Sequence, residues 1–330
     1  GSQLPRADVI VNPNQPGCDF ASKALAGVGV VFYCLLALRA ELRRRNWFGD
    51  HRQEPNLADY LDLVALGTVA DVVPLDRNNR ILVNAGLERI RAGRARPGIL
   101  ALLELAGRNP ARIVASDLGF TVGPRLNAAG RLDDISIGIE CLLTDDLGRA
   151  RSFASTLNDF NQDRKAIERG MQESALAHLA SLDIDSNKVP PMAICLYDPE
   201  WHEGVVGILA SRIKDRLHRP TIAFADGSDG NLKGSARSIK GIHIRDVLDA
   251  VATRHAGLVT KFGGHAMAAG LSLAPENFQA FQQAFIEEVG RHADDVQLNA
   301  VIESDGELAA SDFDLALAET LRYAGPWGQH

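Results

Sequence analysis

The longest periodic pattern in this chain of 330 residues runs from Leu147 to Leu182. Its apolar residues recur at intervals of three, four or seven, as on one face of an α-helix, and such a long helix most simply spans two domains. The residues of this pattern are Leu147, Ala150, Phe153, Leu157, Phe160, Ile167, Met171, Ala175 and Leu179. The polar segment Asp183–Pro191 that follows is typical of a linker.

Short apolar stretches alternate with helical patterns, which predicts an α/β fold class. The predicted strands are Asp8–Asn12, Ala193–Tyr197, Thr221–Ala225, Asn231–Ile239 and Gln297–Glu303. The predicted helices are Asn79–Ala92, Val205–Leu217, Ile244–Ala252, Phe278–Val289 and Asp312–Tyr323. A further helix is predicted to begin at a capping residue, Asn56, and to place Asp71 near its end. An aspartate in this apolar stretch must be solvated, paired or bound to a metal.

Composition favours a cytoplasmic protein without a membrane span. The apolar run Ala24–Leu42 is interrupted by Arg39 and Glu41 and followed by Arg43–Arg45, so its uncharged part is too short to cross a bilayer. We interpret it as a helix buried under a sheet. The sequence has no secretory signal, and its scattered cysteines form no C-x-x-C pair, which is typical of a reducing compartment. These cysteines are Cys18, Cys34, Cys141 and Cys195.

The segment Lys261–Gly270, with the sequence K-F-G-G-H-A-M-A-A-G, carries the clearest functional signal. Gly263 and Gly264 lack side chains, so a ligand can approach the backbone closely. Lys261 and His265 place donors on either side of them. This pattern is typical of a phosphate-binding site, and the alternative is a tight turn between a strand and a helix.

Three other glycine-containing segments carry similar polar side chains, and none has the spacing of a Walker or Rossmann motif. The segments are Gly123–Arg131, Lys233–Lys240 and Trp201–Gly207. Each segment alone is more often structural, but together the segments offer many side chains that can donate hydrogen bonds to phosphate. Their candidate ligands are Arg125, Asn127, Arg131, Ser235, Arg237, Ser238 and His202. If Lys233–Lys240 is a strand, Ser235 and Arg237 share one face.

The formal net charge of −7 conceals a basic band between Glu88 and Arg131, where the acidic residues are Glu88, Glu104 and Asp117. Its basic members are Arg89, Arg91, Arg94, Arg96, Arg108, Arg112, Arg125 and Arg131. This band predicts either a groove that follows a nucleic-acid strand or a solvated, arginine-rich helix face. From Glu276 onward only Arg291 and Arg322 are basic, so that tail is not predicted to form a nucleic-acid surface by itself.

Four long motifs occur in order at Leu66–Leu75, Asp117–Asp134, His202–Arg212 and Phe262–Gly270. With them the chain closely resembles the RecJ group of the DHH phosphoesterase family, which are 5′→3′ exonucleases specific for single-stranded DNA. The last two motifs resemble the DHHA1 domain, which binds the nucleic-acid substrate in this family.

The resemblance implies four segments. Residues 1–95 would be the C-terminal part of a DHH catalytic domain, a remnant of its Rossmann-like parallel sheet. Residues 96–190 would be a helical connector with the long helix, residues 191–293 the DHHA1 α/β domain, and residues 294–330 the start of an OB-type module.

The chain also departs from the family pattern. It contains no Asp-His-His triplet, and of the usual metal ligands only Asp71, in T-V-A-D-V-V, remains. The first residues, Gly1 and Ser2, are typical of a cloning scar. We therefore expect an N-terminally truncated fragment that is inactive by itself, whereas the intact enzyme would hold two Mn²⁺ or Mg²⁺ ions.

The resemblance also implies roles for the candidate residues. Asp71 would be a catalytic metal ligand, and the phosphate ligands would be Arg125, Asn127, Arg131, His202, Ser235, Arg237, Ser238, Lys261, Gly263, Gly264 and His265. The expected substrate is single-stranded DNA, and the expected protein partners are a single-strand-binding protein and a helicase. We expect a monomer that does not bind membranes.

Three alternatives stay open. One is a DHH phosphodiesterase acting on short oligonucleotides or cyclic dinucleotides, although the long insertion Gly123–Leu182 argues against so small an enzyme. Another is a non-catalytic module that binds single strands, against which the retained Asp71 argues for the parent protein. The third is an unrelated metabolic α/β enzyme.

Overall fold

The computed structural model describes residues 6–181, 191–293, 298–299, 301 and 304–328. The chain divides into two compact units, one formed by Gly1–Asn161 with Glu307–His330 and the other by Gln162–Gly306. The long helix observed at Leu147–Ser181 confirms the helix predicted from the periodic pattern. The boundary between the units falls within this helix, so it contributes residues to both.

In the described part of the first unit before the long helix, all regular secondary structure is helical apart from one isolated bridge between Gly49 and Arg52. Its helices are α1 (Gly27–Arg44), α2 (Leu61–Ala70), α3 (Arg77–Arg91), α4 (Pro97–Leu105), α5 (Ala115–Asp117), α6 (Gly123–Leu132), α7 (Ser136–Leu143) and the start of α8 (Leu147–Ser181). A π-helical turn, Leu118–Val122, joins α5 to α6.

Helices α2 and α3 form the centre of this unit. Asp76 caps α3 by accepting a hydrogen bond from the Asn79 amide at 2.9 Å. The helices pack so closely that a Cβ added to Gly86 would lie 2.3 Å from the Leu61 carbonyl oxygen. Asp62 is fully buried on α2 and accepts a hydrogen bond from the Arg96 amide at 2.6 Å. These contacts hold the N-terminal end of α2, and Asp71 lies just after its C-terminal end.

Two predictions for the N-terminal region are wrong. The predicted strand Asp8–Asn12 is irregular, and Val9 and Val11 are 79% and 61% exposed. The helix predicted in Ala24–Leu42 forms as α1, but Val31 and Leu38 on it stay exposed and no strand of the described first unit covers it. An apolar alternation forms a strand only when another strand pairs with it.

Among the described residues, no helix combines the length and the apolar character needed to span a bilayer.

The second unit is built on one five-stranded sheet with helices on both faces. Its further elements are β1 (Ile194–Tyr197), α9 (Val206–Leu217), β2 (Thr221–Asp226), β3 (Leu232–Arg237), α10 (Ile244–Arg254), β4 (Lys261–Gly264), β5 (Ala268–Leu273) and α11 (Phe278–His292). The strand order is β1-β2-β3-β5-β4, in which β1 and β2 are parallel and the remaining pairs antiparallel. The α/β class predicted from the sequence is confirmed.

The two faces of this sheet are covered unequally. On one face α10 and α11 pack against the strands through a continuous core that includes Phe224, Leu271, Phe281 and Phe285. On the other face α9 covers β1 and β2 and reaches β3. The side chains of β3 alternate between buried and half-buried, as expected for a strand with one covered face.

The C-terminal tail returns to the first unit. Its helix α12 (Leu315–Tyr323) begins after Asp314, which caps it by accepting a hydrogen bond from the Leu317 amide at 2.7 Å. This cap explains why the helix starts later than the predicted Asp312. Arg80 anchors the end of the tail by donating to the Pro326 carbonyl at 2.6 Å. The predicted strand Gln297–Glu303 lies largely outside the described residues.

Candidate nucleic-acid interface

One side of the sheet in the second unit carries polar and small residues, and we call it the polar face. Cross-strand register places Ser235, Gly270 and Gly263 in one row across β3, β5 and β4. A neighbouring row contains Lys233, Ser272 and Lys261. Arg237 follows Ser235 two positions along β3, and therefore points to the same side. The polar face thus comprises Lys233, Ser235, Arg237, Lys261, Gly263, Gly270 and Ser272.

The middle of the polar face is an open floor made by two glycines. A Cβ added to Gly263 or Gly270 would meet no heavy atom within 4 Å, and both residues are exposed. On the opposite face the same test gives a clash, because a Cβ on Gly234 would lie 2.4 Å from Phe224 Cε1. A polymer can therefore approach the backbone closely on the polar face, with Lys261 beside it.

Arg237 and Ser235 lie beneath the first turn of α9. The Arg237 Nη1 donates to Ser235 Oγ at 3.1 Å and to the Ala236 carbonyl at 2.8 Å. A Cβ on Gly207 would lie only 2.7 Å from Arg237 Nη2 and 2.9 Å from Ser235 Oγ. Gly207 therefore lets α9 pack directly on these side chains, and the prediction that Ser235 and Arg237 share a face of one strand is confirmed.

The segment Lys261–Gly270 forms a β-hairpin, not the turn between a strand and a helix that we considered. Gly264 has a φ of +152°, and a Cβ there would lie 2.4 Å from the Ala268 carbonyl oxygen. The His265 amide donates to that oxygen at 2.8 Å. Gly264 is therefore required by the hairpin itself, whereas Gly263 leaves open space. His265 is exposed at the turn.

Two other candidate ligands of the second unit have local partners. Ser238 is buried, and its hydroxyl donates to the Ile242 carbonyl at 2.7 Å. This contact does not favour a role in binding phosphate, so the assignment of Ser238 stays a prediction. His202 is exposed before α9, where its Nδ1 accepts a hydrogen bond from the Gly204 amide at 3.0 Å. This hydrogen bond leaves the proton on Nε2, which can then donate to a ligand.

In the first unit, Asp71 and Asn127 line the same pocket. Its volume is about 290 Å³, and its other lining residues are Ala26, Gly27, Val28, Gly67 and Ala70. Asp71 terminates α2, while Asn127 projects from α6 and is exposed. The structure thus brings together the predicted metal ligand and one of the three predicted ligands of the Gly123–Arg131 motif.

The residue after Asp71 has a strained backbone. Val72 has a φ of 56°, which is rare for a β-branched side chain, and its side chain is 64% exposed. Since backbone strain concentrates at functional sites, this outlier is consistent with a role for the adjacent carboxylate.

The other two ligands of the motif lie outside the lining of this pocket. Arg125 is half-buried, where its Nη1 donates to the Thr121 carbonyl at 2.7 Å and its Nε to Asn158 Oδ1 at 3.2 Å. Burial, and then repulsion by Arg108, lower the pKa of Arg125. Arg131 is exposed near the end of α6. Thr121 belongs to the π-helical turn, so this turn sets where the Arg125 guanidinium lies.

These residues do not fit a two-ion metal centre by themselves. Among residues 6–181, 191–293 and 304–328, no group of three or more His, Cys, Asp or Glu side chains lies close enough to hold a metal ion. Asp71 supplies one carboxylate, and Asn127 adds at most a neutral amide oxygen. Mg²⁺ and Mn²⁺ require more oxygen ligands or waters than this pair offers.

Sequence reasoning missed three members of the polar face: Lys233, Gly270 and Ser272. Lys233 Nζ donates to Asp229 Oδ2 at 2.6 Å and to Ser272 Oγ at 3.3 Å. The alternation of polar and apolar residues in β3 and β5 is the signal that could have identified them. The strand register needed to group them is not readable from the sequence.

The sequence of this chain is similar to a known domain family and to known nucleases. Residues 190–291 match the family model of the DHHA1 domain. The single-stranded-DNA-specific exonuclease RecJ of Dickeya dadantii (strain 3937) is 59% identical over 330 residues, which are 100% of this chain and 57% of that protein. The chain therefore spans little more than half the length of the curated relatives it matches.

Solved structures agree with the sequence comparison. A crystal structure of RecJ from Thermus thermophilus in complex with Mn²⁺ matches with a TM-score of 0.73 and 33% identity, over 89% of this chain and 40% of its own. A crystal structure of exonuclease RecJ bound to manganese matches with a TM-score of 0.69 and 33% identity, over 89% of this chain and 68% of its own. The resemblance predicted from the motifs is confirmed, and this chain belongs to the RecJ family.

Proposed function

We propose that this chain holds single-stranded DNA for a 5′→3′ exonuclease, with the polar face binding its phosphates. The observation that carries the proposal is the glycine floor of Gly263 and Gly270, flanked by Arg237 and Lys261. Phosphate contacts carry no sequence information, so such a surface suits an enzyme that acts on any sequence. The names of the RecJ relatives support this substrate.

The remaining ligands add to the proposed phosphate contacts. His202, Ser235 and His265 would supply donors in the second unit, and Arg125, Asn127 and Arg131 would bind phosphates in the first. Arg125 suits this role because its guanidinium has no carboxylate partner among the described residues. Gly264 would contribute through the hairpin it permits, and Ser238 is the weakest member of the set.

We also propose that Asp71 is a metal ligand of the intact enzyme, which would use two Mn²⁺ or Mg²⁺ ions. Divalent ions activate water and stabilise the attacking and leaving oxygens in phosphodiester hydrolysis. Since Asp71 and Asn127 do not complete such a centre, we propose that this chain binds strands without cleaving them. Metal binding itself is a property of the solved relatives.

The binding proposal is tested by Arg237→Ala and His265→Ala. Losing a charge-assisted hydrogen bond costs about 1.5–3 kcal/mol, so each variant should bind oligonucleotides about 10- to 150-fold more weakly. The loss should be similar for different base sequences. Fluorescence anisotropy measures it, with Arg151→Ala as a control because Arg151 is an exposed arginine paired with Glu104. Unchanged affinity in both variants, with intact melting profiles, would remove phosphate binding from the polar face.

The catalytic proposal needs a chain that covers the full length of its relatives. With Mn²⁺ and a 5′-phosphorylated strand, we expect cleavage by that longer chain, none by the present chain and none by the longer chain carrying Asp71→Ala. A series of substrate lengths separates an exonuclease on long strands from a phosphodiesterase on short oligonucleotides. Full activity of the Asp71→Ala protein would contradict its role as a ligand.

We further propose that the intact protein works in the cytoplasm as a monomer, together with a single-strand-binding protein and a helicase. Analytical ultracentrifugation tests the oligomeric state, and co-sedimentation with each purified partner tests the association.

A further inference from the structure

Three arginines that are distant in the sequence surround one tyrosine in the first unit. Tyr323 closes α12, and the Cζ atoms of Arg91 and Arg322 each lie 5.7 Å from its ring centroid. Arg112 ends the short 3₁₀ turn Pro110–Arg112 and lies near enough to the tyrosine hydroxyl to lower the pKa of Tyr323. We call Arg91, Arg112, Arg322 and Tyr323 the arginine cluster.

The arginine cluster is held in place by backbone contacts. Arg91 donates through Nε and Nη2 to the Ile113 carbonyl at 2.9 and 2.7 Å. Arg322 Nη2 donates to the Arg112 carbonyl at 3.4 Å. Hydrogen bonds from Arg112 and then Arg322 lower the pKa of Tyr323. The cluster is thus a preorganised group of cations on three separate elements.

No carboxylate neutralises these charges among the described residues. Neighbouring arginines of the basic band do have acidic partners, as in Arg89 with Asp59 at 3.0 Å and Arg96 with Asp145 at 2.7 Å. None of the three cluster arginines forms such a pair in the described parts of the chain. Repulsion between three fixed cations is relieved when an anion binds among them.

We propose that the arginine cluster is a second binding site for the phosphodiester backbone of single-stranded DNA, separate from the polar face. Guanidinium groups match phosphate oxygens, and the Tyr323 ring, which is 41% exposed, offers a surface on which a base can stack. An acidic peptide is the competing ligand. The stacking surface and the substrate of the relatives favour nucleic acid. This inference rests on the proposed function, because it assigns a second contact to the same substrate.

The test compares Arg112→Gln, Arg322→Gln and the double variant with Arg151→Gln in the 330-residue chain. Arg151 is a matched control because it is an exposed arginine of the same unit that already pairs with Glu104. Affinity for a long oligothymidylate is measured across a series of salt concentrations. Each lost phosphate contact should reduce the slope of log affinity against log salt by about 0.7. The double variant should lose about 1.4, and Arg151→Gln should keep the wild-type slope.

A second readout follows the Tyr323 phenol. Bound phosphates should raise its pKa towards the ordinary value, because they neutralise the arginines that lower it. An ultraviolet titration of the wild type with and without the oligonucleotide, with Tyr323→Phe to identify the signal, detects this shift.

Arg237→Ala in the same assay separates the two proposals. If Arg237→Ala weakens binding while the double variant keeps the wild-type slope and affinity, the cluster does not bind DNA and the polar face still does. If the double variant weakens binding and Arg237→Ala does not, the cluster inference stands and the proposed role of the polar face fails. Binding of an acidic peptide that the double variant abolishes, without any change in DNA affinity, would overturn the inference in favour of a protein partner.

Discussion

Replacing Gly270 by valine should separate folding from strand binding. Gly270 lies in β5 between Ser235 of β3 and Gly263 of β4, at the centre of the open floor. A Cβ there meets no heavy atom within 4 Å, so the backbone at Gly270 has room for a side chain. It would, however, stand on the surface that we propose the DNA backbone approaches.

The two expected effects have opposite signs. Glycine in a strand interior costs roughly 0.5–1 kcal/mol, and β-branched residues favour strands, so the free energy of unfolding should rise by about 0.5–1 kcal/mol. If the valine keeps one phosphate out of reach of Arg237 or Lys261, one charge-assisted hydrogen bond of about 1.5–3 kcal/mol is lost. The dissociation constant for a single strand should then rise by roughly 10- to 150-fold.

The matched control is Gly234→Ala, which adds a methyl group to the opposite face of the sheet. Its Cβ would lie 2.4 Å from Phe224 Cε1 and 2.7 Å from Leu271 Cδ2. Such overpacking should lower the free energy of unfolding by about 1–3 kcal/mol while strand binding persists wherever the variant stays folded. Chemical denaturation and fluorescence anisotropy measure both properties. A Gly270→Val protein that binds strands as tightly as the wild type would refute the open floor as a binding surface.

Three further predictions concern other parts of the chain. Gly207→Ala should weaken strand binding with little change in melting temperature, because the new Cβ would lie 2.7 Å from Arg237 Nη2, the end of a flexible side chain; equal affinity by anisotropy would argue against Arg237 as a ligand. Val72→Gly should raise the free energy of unfolding by about 0.5–1 kcal/mol in a denaturant titration, because it relieves roughly 1–2 kcal/mol of left-handed strain in the folded state. This gain exceeds the stabilisation of the unfolded chain by the added backbone entropy of glycine. A clear loss of stability would show that the strain is small. Burial raises the pKa of the Cys141 thiol to about 11, so its contribution to stability is intact below pH 9 and lost as the pH rises towards 11; the stability difference between wild type and Cys141→Ala should shrink over that range, and a constant difference would contradict it.

The parts of the fold that sequence predicted best are those whose pattern is local. The helix Leu147–Ser181 follows from apolar spacing alone, and α3, at Arg77–Arg91, formed where a helix was predicted at Asn79–Ala92. The strand predicted at Asp8–Asn12 failed because a strand also requires a pairing partner, which a local pattern cannot supply. The helix α1 formed as predicted, but the burial predicted for it also required a sheet, and no strand of the described first unit covers it.

The predictions for the candidate site also succeeded where the pattern is local and failed where it depends on pairing between strands. The shared face of Ser235 and Arg237 follows from the period of two in one strand and was predicted. The register that brings Gly270 and Gly263 into the row of Ser235 depends on how three strands pair, and no single segment encodes it. Glycine also had two functions in one motif: Gly264 serves the hairpin through its positive φ, whereas Gly263 leaves space.

The arginine cluster shows why charge counted along a chain is a poor guide to charge on a surface. The segment after Glu276 contains two basic residues, Arg291 and Arg322, and its sequence gave no reason to expect a nucleic-acid surface. Packing of α12 on the first unit places Arg322 beside Arg91 and Arg112, both from the basic band. Arg291 instead pairs with Glu288 at 2.8 Å on its own helix, so its charge is neutralised locally. Both arginines lie in equally acidic stretches of sequence, but only Arg322 becomes part of a concentrated positive charge once the chain has folded. The salt dependence of strand binding should therefore change when Arg322 is replaced and stay the same when Arg291 is replaced.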